Sequence, residues 1–196
     1  MGRNDDFKIV SLNVNGIHDA KKRRDVFEML RQQKCNIYLL QETHLKTESE
    51  NFIRAAWGYN LWLSGSTTNS NGVAILFNNN FVYKVHDVVR DANGTFIIMD
   101  MELLNKRVTL VNLYGPSSRD SPDFFNTICE HVERIGNGFV IMAGDWNCPL
   151  DMKMDVRNYT SVINRPRMRK KIQDLMTKYD LVDIWREMYP HKRAYS

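Results

Sequence analysis

The sequence predicts a single α/β domain, richer in strands than a simple doubly wound sheet. Three observations predict it. At 196 residues the chain is long enough for one domain with a full core. Short apolar runs recur along it, each closed by polar or turn-forming residues, as buried strands are. Between them lie segments whose apolar residues fall at helical spacing, after the first, the second and later strands.

Phe7 to Leu12 reads as a buried strand ended by Asn13 and Gly16, preceded by a flexible polar N-terminus, residues 1–6. Arg23 to Lys34 carries Val26, Phe27 and Leu30 at helical spacing. Asn36 to Gln41 is continuously apolar through Ile37, Tyr38, Leu39 and Leu40, as expected of a strand covered on both faces. Thr47 with Glu50 has the form of a capping box opening a short helix through Phe52 and Ala55. Tyr59 to Ser64 alternates like a strand, and Val73 to Phe77 follows a polar loop.

Phe81 to Arg90 and Thr95 to Leu103 are two strands joined across Asn93-Gly94, a hairpin signal. Arg107 to Leu113 is a further strand, delivering Tyr114. Ser121-Pro122-Asp123 suits a helix start, with Ser at the cap and Pro in the first turn, and the helix ends near Gly136. Phe139 to Ala143 is a short strand running into Gly144-Asp145. After a polar, irregular stretch from Asp151 to Arg165, Met168 to Tyr179 is amphipathic, and Leu181 to Trp185 packs or pairs after it. No repeat or linker interrupts residues 7–196, which are expected to form one domain.

Composition narrows the function classes. No apolar run approaches the ~20 residues that span a bilayer, and the polar N-terminus lacks the core of a secretory signal. An intracellular protein with no membrane partner is expected. Cys35, Cys129 and Cys148 are widely spaced with no CxxC pair, which points away from disulfides and zinc and toward reduced thiols. The formal charge of +4 permits a nucleic-acid partner without demanding one. Lys21 to Arg24 and Arg165 to Lys171 are local basic runs, read either as solvated helix starts or as phosphate contacts.

Polar groups at strand ends are the candidates for chemistry, because several on one rim can converge on a divalent cation and a phosphate. Glu42 follows a buried strand and suits Mg²⁺, which takes few protein ligands and keeps several waters; alternatively it caps the next helix. Asp145 could orient or deprotonate a water while Asn147 holds a phosphate oxygen; the plainer reading is an Asx turn. Tyr114 offers a phenol at a strand end, or a core aromatic with a wet tip. His44 points away from Glu42 if the strand continues, and with His86 and His131 it is read as structural or surface; His18 and His191 lack a motif.

Together, Leu12-Asn13-Val14-Asn15-Gly16, Gln41-Glu42-Thr43-His44, Tyr114-Gly115-Pro116 and Gly144-Asp145-Trp146-Asn147 resemble the endonuclease/exonuclease/phosphatase superfamily. The superfamily shares its fold with DNase I and the apurinic endonucleases. Asn112 to Pro116, Ser121 to Phe125 and Leu181 to Arg186 resemble the apurinic-like endonuclease domain of LINE-type non-LTR retrotransposons.

The resemblance implies a four-layer α/β sandwich, two packed mixed sheets flanked by helices. It implies an Mg²⁺-dependent DNA endonuclease, with Mn²⁺ as a substitute, that leaves a 3′-hydroxyl. Glu42 would be the main metal ligand with Asn13 assisting, Tyr114 would contact the scissile phosphate, Asp145 would activate water and Asn147 would hold the phosphate or that aspartate. Ser196, Ser117, Arg157 and Arg167 are weaker candidates for DNA contact. The implied partners are double-stranded DNA and a C-terminal reverse transcriptase in the parent protein, and the implied setting is a monomer in the nucleus.

Two departures stand out. Ser117 replaces the Asn common after the Tyr motif, and the family's C-terminal Asp and Asp-His motifs have no counterpart before Ser196. Missing C-terminal strands and slow nicking are therefore expected. A non-catalytic DNA-binding remnant, or an apurinic repair nuclease or phosphoesterase of the same superfamily, is the alternative.

Overall fold

The computed structural model describes residues 6–66, 70–157 and 164–193. The chain divides into two compact units, residues 1–114 with 134–145, and residues 115–133 with 146–196.

The first unit is built on two mixed four-stranded sheets. One runs β1 (Ile9–Asn13), β2 (Ile37–Gln41), β4 (Val73–Phe77), β3 (Leu61–Ser64), with β1 parallel to β2 and the rest antiparallel. The other runs β5 (Tyr83–Arg90), β6 (Phe96–Leu103), β7 (Lys106–Tyr114), β8 (Phe139–Asp145), with only β7 and β8 parallel. Every residue of β2 is buried, and alternation explains why. Ile37 and Leu39 pack with Ile97, Met99 and Leu110 of the opposite sheet. Tyr38 and Leu40 join a second core with Phe27 and Leu30 of α1 (Ala20–Gln33) and Ile53 and Trp57 of α2 (Glu50–Trp57). A strand covered on both faces has no polar side, which is the uninterrupted pattern its sequence shows.

Trp57 centres the helical side of this core. Its ring meets Phe27, Tyr38 and Tyr59 edge-on, and its Nε1 donates to the carbonyl of Phe77 at 3.0 Å, so the buried indole is satisfied.

Three local expectations are corrected. Thr47 and Glu50 do not form a capping box: a single 3₁₀ turn occupies Thr47–Ser49, the Thr47 hydroxyl bonds with Gly65, and Glu50 binds Arg54, Arg90 and the Leu63 amide. Long-range partners outcompeted the local motif. Of the two readings of Leu181 to Trp185, packing or pairing, strand pairing does not occur: α5 (Ile184–Met188) begins there, capped by the Asp183 side chain on the Arg186 amide at 3.0 Å. The basic run at α1 is not a uniformly solvated face. Arg23 is buried and donates to the carbonyls of Ile17 and His18, tying the loop after β1 to the helix.

The second unit is organised around α3 (Asp123–Ile135, of which it holds the part through Glu133) and α4 (Pro166–Lys178). Phe125, Ile128, Met168, Ile172 and Leu175 are buried. Asp120 performs the capping that Arg165, the residue at the cap position, does not: its carboxylate accepts from the amides of Arg167 at 3.0 Å and Met168 at 2.7 Å. Burial acts to raise the Asp120 pKa, but those amides and the Arg167 guanidinium outweigh it and hold the carboxyl below the usual range. With a folded value below the unfolded one, the stabilisation is complete above about pH 4 and is lost as pH falls through the lower folded value. Asp120→Asn should therefore lower the unfolding temperature near neutrality, and the gap from the parent should close in acid. A gap independent of pH would show that the carboxylate does not act through its charge.

Candidate active site

Two parallel strand pairs bring their C-terminal ends to one rim. Asn13 of β1 stands in register with Gln41 of β2, and Tyr114 of β7 with Asp145 of β8. β1 and β8 are sheet edges, and they lie against each other. The Asn13 side chain spans the interval between them: its Nδ2 donates to Glu42 Oε1 at 2.8 Å and to Asp145 Oδ2 at 3.0 Å. One amide thus joins carboxylates carried by two different sheets. Its Oδ1 accepts from the Asn15 amide at 3.0 Å, which fixes the amide's orientation.

Glu42 is held in a conformation that few side chains adopt. Its φ is +50°, and Asn15 and His44 share the left-handed region at +45° and +55°. Such a residue costs about 1–3 kcal/mol and persists only where its surroundings impose it. Here the loops after β1 and β2 are laced together. The Gly16 and Ile17 amides donate to the carbonyls of Glu42 and Thr43, while Thr43 and His44 donate to Gly72 and Asn71. Gly16 has φ +79°, and a Cβ there would stand 2.8 Å from His44 Nδ1. The left-handed φ favours glycine at this position, and the ring of the second motif's histidine packs where its side chain would stand.

That backbone reversal overturns the expected direction of His44. The strand does not continue through Glu42, and His44 Nε2 lies 3.7 Å from Glu42 Oε2. Glu42 is therefore flanked by an amide on one oxygen and an imidazole near the other. The expectation itself is out of step with strand geometry, since residues two apart share a face; the structure reaches the same proximity by another route, with the strand ended at Gln41 and both Glu42 and His44 at positive φ. The Thr43-His44 step after a strand-ending Gln-Glu was the one available signal.

Asp145 owes its placement to Gly144, whose φ is +141° and whose Cβ, if present, would stand 1.9 Å from the Leu113 carbonyl oxygen. Tyr114 is half-buried, its ring packed against the inter-sheet core at the end of β7. Among the described residues no group of three or more His, Cys, Asp and Glu side chains is arranged to hold a metal. Glu42 and Asp145, joined through Asn13, nonetheless suit Mg²⁺, which binds through one or two carboxylates, water and substrate phosphate.

The remaining sequence candidates belong to the second unit. Asn147, at φ +50°, donates from Nδ2 to the Gly115 carbonyl at 3.0 Å. A Cβ on Gly115 would meet the Trp146 carbonyl at 2.3 Å, so the Tyr-Gly-Pro glycine is needed for close backbone approach. Arg165 is buried, and its guanidinium donates to the carbonyls of Pro116, Ser117 and Asn147. It braces these loops, a role its place in a basic run concealed. Arg167 is exposed and pairs with Asp120; Ser117 and Arg157 are exposed; Ser196 lies outside the described residues. Cys148 is buried, which pushes its thiol pKa up and away from reactivity.

Residues 10–153 match the Endonuclease/Exonuclease/phosphatase family. Over 190 residues the chain is 27% identical to the Transposon TX1 uncharacterized 149 kDa protein of Xenopus laevis, covering 96% of this chain but 14% of that protein. Its fold matches the AP endonuclease LMAP from Leishmania major with a TM-score of 0.76 at 18% identity, covering 95% of this chain and 70% of that one. It also matches the 3′ phosphatase NExo from Neisseria, bound to a product DNA hairpin, with a TM-score of 0.70 at 21% identity, covering 95% and 76%. These structures share the two packed mixed sheets with flanking helices expected from the sequence.

Proposed function

The chain belongs to the endonuclease/exonuclease/phosphatase family, and from that premise we propose that it is an Mg²⁺-dependent DNA endonuclease domain of the retrotransposon type, hydrolysing a phosphodiester to leave a 3′-hydroxyl. One observation carries this reading: a single amide, Asn13, holds Glu42 and Asp145 together at the meeting point of two strand pairs. The similarity to the Transposon TX1 protein supports the retrotransposon branch over repair nucleases. A reverse transcriptase in the same polypeptide, a nuclear site of action and a monomeric domain accompany the proposal.

Glu42 would hold the cation, which when bound supplies Lewis-acid polarisation of a phosphoryl oxygen and neutralises its charge. Mn²⁺ fills the same role. Asn13 Oδ1 accepts one hydrogen bond, from the Asn15 amide, and its second lone pair could assist Glu42 at the cation, while its Nδ2 orients both carboxylates. Asp145 is placed to orient a water and take its proton. Tyr114, in register with Asp145, would donate its phenol to a phosphate oxygen. Asn147, Ser117, Ser196, Arg157 and Arg167 would contribute phosphate or DNA contacts.

The reading is tested on supercoiled plasmid. Nicks should require Mg²⁺ or Mn²⁺, form on undamaged DNA, and leave ends that a polymerase extends without phosphatase treatment. Cleavage confined to abasic sites, or release of phosphate without strand breakage, would favour the repair-nuclease or phosphoesterase reading. Affinity for duplex DNA should fall with salt by close to one unit of log-log slope for each phosphate neutralised. Replacing Arg167 and Lys170 by alanine should flatten that slope. A salt-independent affinity would remove DNA from the partners.

A further inference from the structure

Beneath the candidate site lies a buried polar pair that the proposed chemistry does not use. Gln41 of β2 and Asn112 of β7 belong to different sheets, and both are inaccessible, 1% and 0% exposed. Gln41 Nε2 donates to Asn112 Oδ1 at 2.7 Å, and its second hydrogen is shared between Ser11 Oγ and the Leu39 carbonyl, each 3.1 Å from Nε2. Asn112 Nδ2 donates to the carbonyls of Leu40 at 3.0 Å and Ala74 at 2.9 Å. The residues that precede them on the same strand faces, Ile37 and Leu39 before Gln41 and Val108 and Leu110 before Asn112, belong to the apolar core between the sheets. Apolar contact is non-directional and tolerates more than one arrangement of two faces, whereas a hydrogen-bonded amide network is satisfied in one register.

The position of the pair gives that register a purpose. Gln41 stands opposite Asn13 in the β1–β2 pairing and directly precedes Glu42. Asn112 stands opposite Ala143, one step along the same face before Tyr114 and Asp145. We propose that Gln41 and Asn112 are positioning residues: their cross-sheet hydrogen bond sets the register in which Asn13 reaches Asp145. The proposal rests on the reading of Asn13, Glu42 and Asp145 as the catalytic group, and its test is arranged to fail separately from that reading.

The Asn13 side-chain amide reports the contact directly by ¹⁵N–¹H NMR. In the parent, Asp145→Ala should shift these resonances, because Nδ2 loses one acceptor. In Gln41→Met/Asn112→Leu, the resonances should already be displaced or split, and adding Asp145→Ala should move them little further. The reciprocal swap Gln41→Asn/Asn112→Gln, which keeps two amides and their combined length, should restore the parental response. Should the apolar pair fail to fold, Gln41→Met alone and the swap carry the same comparison.

In the nicking assay, the apolar pair should lose about 10²-fold, the scale of an ångström-level misplacement, with the loss not adding to that of Asp145→Ala. An Asp145-dependent shift of full size in the folded apolar variant would overturn the inference, whatever the nicking result. Loss of nicking in the apolar pair alone, with Asp145→Ala as active as the parent, would instead reject the catalytic reading.

Discussion

Replacing Asp145 by alanine is expected to lower Mg²⁺-dependent nicking by about 10²–10⁴-fold, the usual contribution of a positioned general base. The loss should fall on the rate at saturating DNA and not on affinity, since Asp145 is assigned to the water and not to the duplex. Asp145→Asn keeps the shape and the chance of a hydrogen bond with Asn13 but cannot take a proton, so it should be nearly as slow. The chain should stay folded in both, because Asp145 is partly exposed at the end of an edge strand. A variant nicking at the parental rate would remove Asp145 from the chemistry.

Gly144→Ala should be as damaging to the fold as Asp145→Ala is to the rate. The added methyl would overlap the Leu113 carbonyl, which belongs to the neighbouring strand and has little freedom to retreat. Overpacking costs about 1–3 kcal/mol, and an alanine at φ +141° adds about as much again. A loss near 4 kcal/mol corresponds to roughly a 10 °C fall in unfolding temperature for a chain of this size. Calorimetric scans of the two proteins would measure it. A fall of only a degree or two would mean that β8 shifts along β7 more readily than its pairing suggests.

Much of the fold was legible because burial on two faces leaves a pattern that burial on one does not. The run Ile37 to Leu40 could only be a central strand, and its polar successors could only sit at a rim. The order of apolar runs likewise placed Asn13, Tyr114 and Asp145 at strand ends, and the structure shows them there. What stayed hidden was set by contacts between segments distant in sequence. The positive φ at Glu42 and His44 accompanies hydrogen bonds to the loops after β1 and before β4, so this looped path was not readable from Gln41-Glu42-Thr43-His44 alone. Arg23 and Arg165 lie in runs read as solvated helix starts or as phosphate contacts, yet each is buried on backbone carbonyls. A guanidinium's five donors suit it to that bracing role, which a charge count does not distinguish from phosphate binding. Gln41 and Asn112 received no role of their own from the sequence, because only the packing of the sheets makes them partners.

The placement of the metal at Glu42 is the centre of the account, and Mn²⁺ titration followed by water-proton relaxation tests it most directly. The parent should show a saturable site that Mg²⁺ displaces. Glu42→Ala should abolish it while leaving the circular dichroism unchanged, and Asn13→Ala should weaken it by releasing both carboxylates from their common donor. Mn²⁺ binding of parental affinity in the folded Glu42→Ala protein would contradict the account and move the metal to another part of the molecule.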